Sequence, residues 1–311
     1  MSKIAFLFPG QGAQSVGMGK AIAEKYKSSQ KIFKLASDVL KLDMENMIFN
    51  GDEETLKLTE NTQPAILTTS IACLQPLIEA GIKPTVTAGL SLGEYSGHVL
   101  AGTFRFETAV GLVRKRGRYM QEAVPEGVGA MAAIIGLEDD AVINCCNAAK
   151  NAGIVEAANF NCPGQVTIAG EVAAVERACE IAKENGAKRA VVLPVSAPFH
   201  CSLLKPAGEK LATELEKVEL GNMTLPLVTN VTAEYVTDST KVKELLIKQV
   251  SSPVYFTDSI LNMLKNGIDT FIEIGPGKAL SGFVKKISKD VATYNVEDLE
   301  SLEKTLDGLN T

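Results

Sequence analysis

The stretch Gly89-Leu90-Ser91-Leu92-Gly93 sets a serine between two glycines, just after the apolar residues Val86 and Ala88 and just before the helix-like Glu94-Tyr95-Ser96. Gly-x-Ser-x-Gly between a strand and a helix is the pattern of a nucleophile elbow. Small flanking residues permit the sharp turn that exposes the hydroxyl, and the N–H groups of the following helix face a developing oxyanion. Five residues match such a pattern by chance in many chains, and a tight turn with a serine cap accounts for the same letters. The strand before and the helix after favour Ser91 as a nucleophile.

A serine nucleophile needs a base, most often histidine. The chain has two, His98 and His200. His98 falls on the elbow's own helix, about two turns beyond Ser91, where its imidazole is poorly placed to reach back; it reads as structural. His200, in Pro194-Val195-Ser196-Ala197-Pro198-Phe199-His200, is either the base or an ordinary loop histidine, and the lack of a competitor favours the base. Arg116 has Leu112, Val113 and Met120 at i−4, i−3 and i+4 on a helix expected over 106–123, so it projects beside the apolar stripe. Arg114, Lys115 and Arg118 point largely to solvent. A guanidinium near an apolar face needs an anion, and it grips a carboxylate with two parallel hydrogen bonds. Two readings stay open: a clamp for an anionic acyl group, or an internal salt bridge.

Two glycine-rich turns carry less. In Gly10-Gln11-Gly12-Ala13-Gln14-Ser15, Ser15 occupies the third-glycine position of a dinucleotide fingerprint, so a tight loop offering the Gln11 backbone N–H to an active site is the better reading. Gly275-Pro276-Gly277-Lys278 lacks Walker A spacing and reads as a strand-to-helix turn.

The elements that must position these residues alternate between strand-like and helix-like runs, as in an α/β fold with a largely parallel sheet. Strands are expected at 3–8, 84–88, 226–230 and 269–274. The clearest early helix starts near Asn61-Thr62 with Pro64 in its first turn, carries a kink at Pro76 and ends at Gly81. Between 128 and 195 the order becomes strand 129–137, helix 139–150, strand 155–160, strand 165–169, helix 172–185 and strand 189–195. That βαββαβ order is ferredoxin-like and marks a compact unit inserted into the larger one. The domains expected are 1–125 with 203–311 for the large body and 126–202 for the small one.

A length of 311 residues, 46% hydrophobic and 22% charged, is ordinary for a globular protein with a full core. No apolar run approaches the roughly 18 residues of a membrane span. Ile4 to Phe8 is too short for a signal-peptide core and ends at Pro9-Gly10, which reads as the first strand of a cytoplasmic protein. Six cysteines without C-x-x-C spacing suit reduced, buried thiols and no metal site. A net charge of −6 gives no support for nucleic acid or an anionic membrane as partner.

Six motifs occur along the chain: FPGQGAQ at 8–14, GLSLGEYSG at 89–97, RGRYMQEAVPEGVGAMAAIIGL at 116–137, NFNCPGQVTIAG at 159–170, PVSAPFH at 194–200 and IEIGPGKALSGF at 272–283. Through them the sequence resembles the malonyl-CoA:acyl carrier protein transacylases of fatty acid synthesis, relatives of the acyltransferase domains of polyketide synthases. The resemblance implies an α/β-hydrolase-like large domain with a ferredoxin-like insertion, and a cytoplasmic monomer acting on malonyl-CoA and acyl carrier protein. No cofactor is implied, the coenzyme A thioester being substrate. It implies Ser91 as nucleophile, His200 as base and later acid, and the backbone carbonyl of Gln249 as the group that orients the histidine, in place of a triad carboxylate. The backbone N–H groups of Gln11 and Leu92 would form the oxyanion hole, and Arg116 would pair with the malonyl carboxylate. Leu90 departs from the family, many members of which carry histidine there. Phe199 is similar to malonyl-selective polyketide acyltransferases, where an aromatic ring crowds out an α-methyl branch.

Carrier proteins of this pathway are acidic, and Arg114, Lys115, Arg118, Lys188, Arg189, Lys285 and Lys286 are candidates to dock one. The rivals are a serine esterase or thioesterase, a non-catalytic carrier-protein scaffold, and a discrete acyltransferase serving a polyketide synthase. Esterases run serine, acid and then a late histidine, often with an HGGG-type loop. No such loop occurs here, and His200 is followed by more than a third of the chain.

Overall fold

The computed structural model describes residues 2–195 and 197–309. Ser196, inside the 194–200 motif, and the outermost residues Met1, Asn310 and Thr311 of the expected large domain lie outside the described residues. Among the described residues eleven strands form two sheets: β1 (Ile4–Phe8), β2 (Val86–Gly89), β3 (Gly129–Ile135), β4 (Val155–Cys162), β5 (Gln165–Glu171), β6 (Arg189–Val192), β7 (Leu227–Val228), β8 (Tyr235–Val236), β9 (Val254–Tyr255), β10 (Thr270–Ile274) and β11 (Ala292–Val296). The fold is mixed α/β.

The larger sheet runs β11-β10-β1-β2-β7-β8, parallel throughout except for the final pair. Its central strands are apolar on both faces, as a parallel sheet covered by helices requires. Phe6 and Phe8 pack into one core, while Ala5 and Leu7 pack into the other with Phe256 and Phe271. Phe8 pairs with Gly89, so the loops after β1 and β2 leave the sheet side by side at its carboxyl end. In open α/β sheets ligands collect at that edge.

The second sheet runs β6-β3-β5-β4-β9. Pairs among β3 to β6 are antiparallel. One face packs Ala132, Ile134, Val166 and Ile168 against the helices Asp139–Ala149 and Val172–Glu184 in a core of its own. The alternate residues Met131, Ala133 and Thr167 face the cavity described below. The fifth strand comes from the later chain: β9 pairs in parallel with β4 through Asn159↔Val254 and Phe160↔Tyr255, and the two rings stack at 5.3 Å. Two residues are too few to show a period in the sequence.

The helix expected over 106–123 forms as Phe106–Ala123, burying Leu112, Val113, Arg116 and Met120. The earlier helix runs Thr59–Glu79, starting ahead of the expected position, so Pro64 sits beyond its first turn. All six cysteines are free and buried. Among the described residues no helix is long and apolar enough to cross a membrane, and no group of three His, Cys, Asp or Glu side chains could hold a metal ion.

Candidate active site

Ser91 stands on the turn between β2 and the helix Gly93–Leu100, with φ at 52°. A non-glycine residue there is strained, and such strain collects at functional sites. The flanking glycines are required by space: a Cβ on Gly89 would run into the Gly93 carbonyl group, and one on Gly93 into the Phe8 carbonyl oxygen. Asn230 holds the turn from below. Its Oδ1 accepts the Ser91 backbone N–H at 2.6 Å, and its Nδ2 donates to the Gly89 carbonyl at 2.6 Å.

His200 also has positive φ, 64°, and its ring reaches the serine: Nε2 lies 2.6 Å from Ser91 Oγ. Nδ1 lies 2.9 Å from the backbone oxygen of Gln249. A carbonyl oxygen only accepts, so Nδ1 carries the proton and Nε2 presents its lone pair to the hydroxyl. Burial, reinforced by the charge of Arg116, pushes the imidazole down to about 3 from 6.5, which keeps it neutral. The ring nitrogens of His98 face elsewhere, Nδ1 at 3.2 Å from Thr103 Oγ1 and Nε2 at 3.9 Å from Glu94 Oε1.

Arg116 is 1% exposed. Its Nη1 donates to Gln63 Oε1 at 2.9 Å; its Nη2 donates to Gln249 Oε1 at 3.0 Å and to Ser91 Oγ at 3.2 Å. Its guanidinium stands 5.4 Å from the centre of the Tyr95 ring. Among the described residues no carboxylate pairs with it directly, so the salt-bridge alternative is not realised. Its neighbours Lys115 and Arg118 do turn outward, to Glu214 at 2.5 Å and Glu122 at 3.6 Å.

These groups open onto a cavity of about 450 Å³ between the two sheets. Gln11, Leu90 and Phe199 line it beside Ser91, Arg116 and His200, with Met131 and Asn161 from the smaller sheet opposite. Leu92 is fully buried at the N-cap of the helix Gly93–Leu100, and the N–H groups of Gly93, Glu94 and Tyr95 that follow it donate to the carbonyls of Leu90, Ser91 and Leu92. Gly275-Pro276-Gly277 is a strand-to-helix turn after β10, and the Glu273 carboxylate accepts the Leu280 and Ser281 N–H groups that head the next helix, at 3.1 and 2.7 Å.

Gln63, Asn230 and the side chain of Gln249 escaped the sequence reading. Each is a buried polar residue with other polar residues beside it in sequence (Asn61 and Thr62, Thr229 and Thr232, Lys248 and Ser251), so no local pattern marks it.

The family described as acyl transferase domain matches residues 5–304. The chain is 50% identical over 310 residues to the malonyl CoA-acyl carrier protein transacylase of Bacillus subtilis, covering 99% of this chain and 98% of that protein. It is 46% identical over 288 residues to the Escherichia coli protein of the same name, covering 92% and 93%. Among solved structures, the malonyl CoA-acyl carrier protein transacylase from Clostridium perfringens superposes with a TM-score of 0.96 at 50% identity, covering 99% of this chain and 98% of that one. A type II PKS acyl-carrier protein in complex with its malonyl-transacylase superposes with a TM-score of 0.96 at 42% identity, covering 99% and 100%.

Proposed function

Because the chain belongs to the acyl transferase domain family and is an acyltransferase, we propose that it moves the malonyl group of malonyl-CoA to the phosphopantetheine thiol of acyl carrier protein through a malonyl ester of Ser91. The relatives' names support the donor and the acceptor. One observation carries the reading: a buried guanidinium with no direct carboxylate partner among the described residues lies 3.2 Å from the same Ser91 Oγ that lies 2.6 Å from His200 Nε2. Malonyl has a single methylene between its carboxylate and its thioester carbonyl. With the carboxylate on Arg116, the carbonyl carbon falls beside the hydroxyl.

His200 Nε2 takes the Ser91 proton as Oγ attacks the thioester carbon. The oxyanion is held by the N–H groups of Gln11 and Leu92 until it collapses, breaking the C–S bond, and His200 returns the proton to the departing coenzyme A thiol. The carrier thiol then gives its proton to His200 and attacks the ester carbon; the oxyanion collapses, the bond from that carbon to Ser91 Oγ breaks, and His200 returns the proton to Oγ. Gln249 O keeps the imidazole in the required tautomer throughout. No electrons change hands, and the scheme uses no resident cofactor. Incubating the protein with malonyl-CoA and holo acyl carrier protein is expected to give malonyl carrier protein with a double-displacement rate pattern. Initial rates that require both substrates bound together would contradict the ester.

We read residues 1–125 with 203–311 as an α/β-hydrolase-like domain and 126–202 as a ferredoxin-like one; the separate core and the order β6-β3-β5-β4 support that division. A monomer in the cytoplasm, working in fatty acid biosynthesis, completes the proposal.

Phe199, 7% exposed, lines the cavity next to the base. The parent is expected to use malonyl-CoA over methylmalonyl-CoA by about 10- to 100-fold, and Phe199→Ala to narrow that ratio, since one methyl group changes binding in a pocket by that order. Comparable turnover of both donors by the parent contradicts the assignment.

Of the seven basic candidates, Lys286 donates to Gln165 Oε1 at 3.2 Å on the cavity wall. Arg189 and Gln165 both pair with Ile135, so they share one face of the smaller sheet. Arg114, Lys115 and Arg118 line a separate groove. Charge reversal at Lys286 and Arg189 together is expected to slow transfer to the acidic carrier protein about tenfold, while transfer to free pantetheine stays unchanged. Equal slowing of both would move the docking surface elsewhere.

A further inference from the structure

Arg116 and Glu94 are the two fully buried charges beside Ser91, at 1% and 0% exposure. Taking a cation out of water is costly without a counter-charge. Yet every acceptor bonded to the Arg116 guanidinium is neutral: Gln63 Oε1, Ser91 Oγ and Gln249 Oε1. The anion is one side chain away. Gln249 turns its amide oxygen to Arg116 Nη2 at 3.0 Å and its amide nitrogen to Glu94 Oε2 at 2.9 Å. Both ends of that carboxamide therefore make charge-assisted bonds, and reversing it would point N–H at a guanidinium and oxygen at a carboxylate. The Asn230 backbone N–H fixes the same Glu94 oxygen at 2.9 Å. Among the described residues Glu94 Oε1 has no hydrogen-bond partner, and the nearest basic atom is His98 Nε2 at 3.9 Å. The mechanism above assigns this carboxylate nothing.

We propose that Glu94 is the remote counter-ion of Arg116, coupled to it through the Gln249 carboxamide, and that this spacing leaves the guanidinium open to an incoming carboxylate. A carboxylate in direct contact would occupy the fork that the substrate needs, and no carboxylate at all would leave a buried cation uncompensated. An amide in between supplies the opposite charge while taking only one of the guanidinium's five N–H groups. Glu94 is on this account a positioning residue, held three residues after Ser91 on the helix that the nucleophile turn begins. The substrate half of the proposal rests on the malonyl reading; the ion-pair half does not.

The test is a double-mutant cycle on thermal stability with Glu94→Gln and Arg116→Met. Glu94→Gln keeps the shape and an acceptor for Asn230 but removes the charge. It is expected to lower the melting temperature by about 5–10 °C in the parent, as loss of one partner of a buried pair does, and by no more than about 2 °C in the Arg116→Met background. A structural role through hydrogen bonds alone predicts the same loss in both backgrounds, and that result overturns the counter-ion. If Glu94→Gln alone does not fold, recovery of a folded double variant is the supporting result and its failure the overturning one. In a second arm, malonyl-CoA should raise the melting temperature of Glu94→Gln more than that of the parent, because its carboxylate supplies the missing charge. An equal rise beside an intact cycle supports the ion pair and overturns the malonyl reading instead.

Discussion

Ser91→Ala and His200→Ala each lower malonyl transfer by on the order of 10⁴- to 10⁶-fold, and combining them costs little more than either alone. The expectation follows from the 2.6 Å contact between Oγ and Nε2: the hydroxyl is a nucleophile only while the imidazole takes its proton, so the two act as one unit. Steady-state rates of the two single variants and the double measure it directly; additive losses would mean the pair does not work together. The pH profile carries the same claim. Burial and the Arg116 charge hold His200 down to about 3, so the neutral base is present throughout pH 5–8, and its protonation sets no acid limb near 6.5. Arg116 is the second cause of that depression. Its removal should move the limb upward, toward 6.5.

Arg116→Ala lowers kcat/KM for malonyl-CoA by about 10²- to 10³-fold and much less for acetyl-CoA, so the preference between the two donors collapses. The guanidinium sits on the buried side of the helix Phe106–Ala123, where its hydrogen-bond partners among the described residues are neutral oxygens. A donor without a carboxylate makes no charge-assisted bond to it and gains nothing from it. Parallel assays with the two donors separate this from a folding defect, which would lower both rates alike. An equal loss with acetyl-CoA would remove Arg116 from carboxylate recognition.

What the sequence disclosed was the part written in local spacing. The elbow is five adjacent residues, and the helix carrying Arg116 has an apolar period long enough to fix both its ends. The strands of the smaller sheet alternate in the structure, one face to its helices and one to the cavity, but Met131 to Ile134 are apolar throughout, so the sequence shows the strand and not its two faces. β11 is not legible because its residues Ala292 to Val296 are mostly half-exposed and carry no apolar run, and β8 and β9 are two residues each. The site is harder to read than the fold because its contacts are distant along the chain. Ser91 meets His200 across 109 positions and Gln249 across 158, and no periodicity connects such pairs. His200 came forward by elimination, Gln249 through resemblance alone. Glu94 stood in plain view beside the elbow, but its value as a charge depends on Gln249 folding down between it and Arg116.

The most direct test of the central claim is the intact mass of the protein after mixing with malonyl-CoA alone, beside Ser91→Ala. The account predicts a single malonyl adduct on the parent, none on Ser91→Ala, and its clearance when holo acyl carrier protein is added. Rapid release of coenzyme A with no adduct, or an adduct that survives Ser91→Ala, would contradict it.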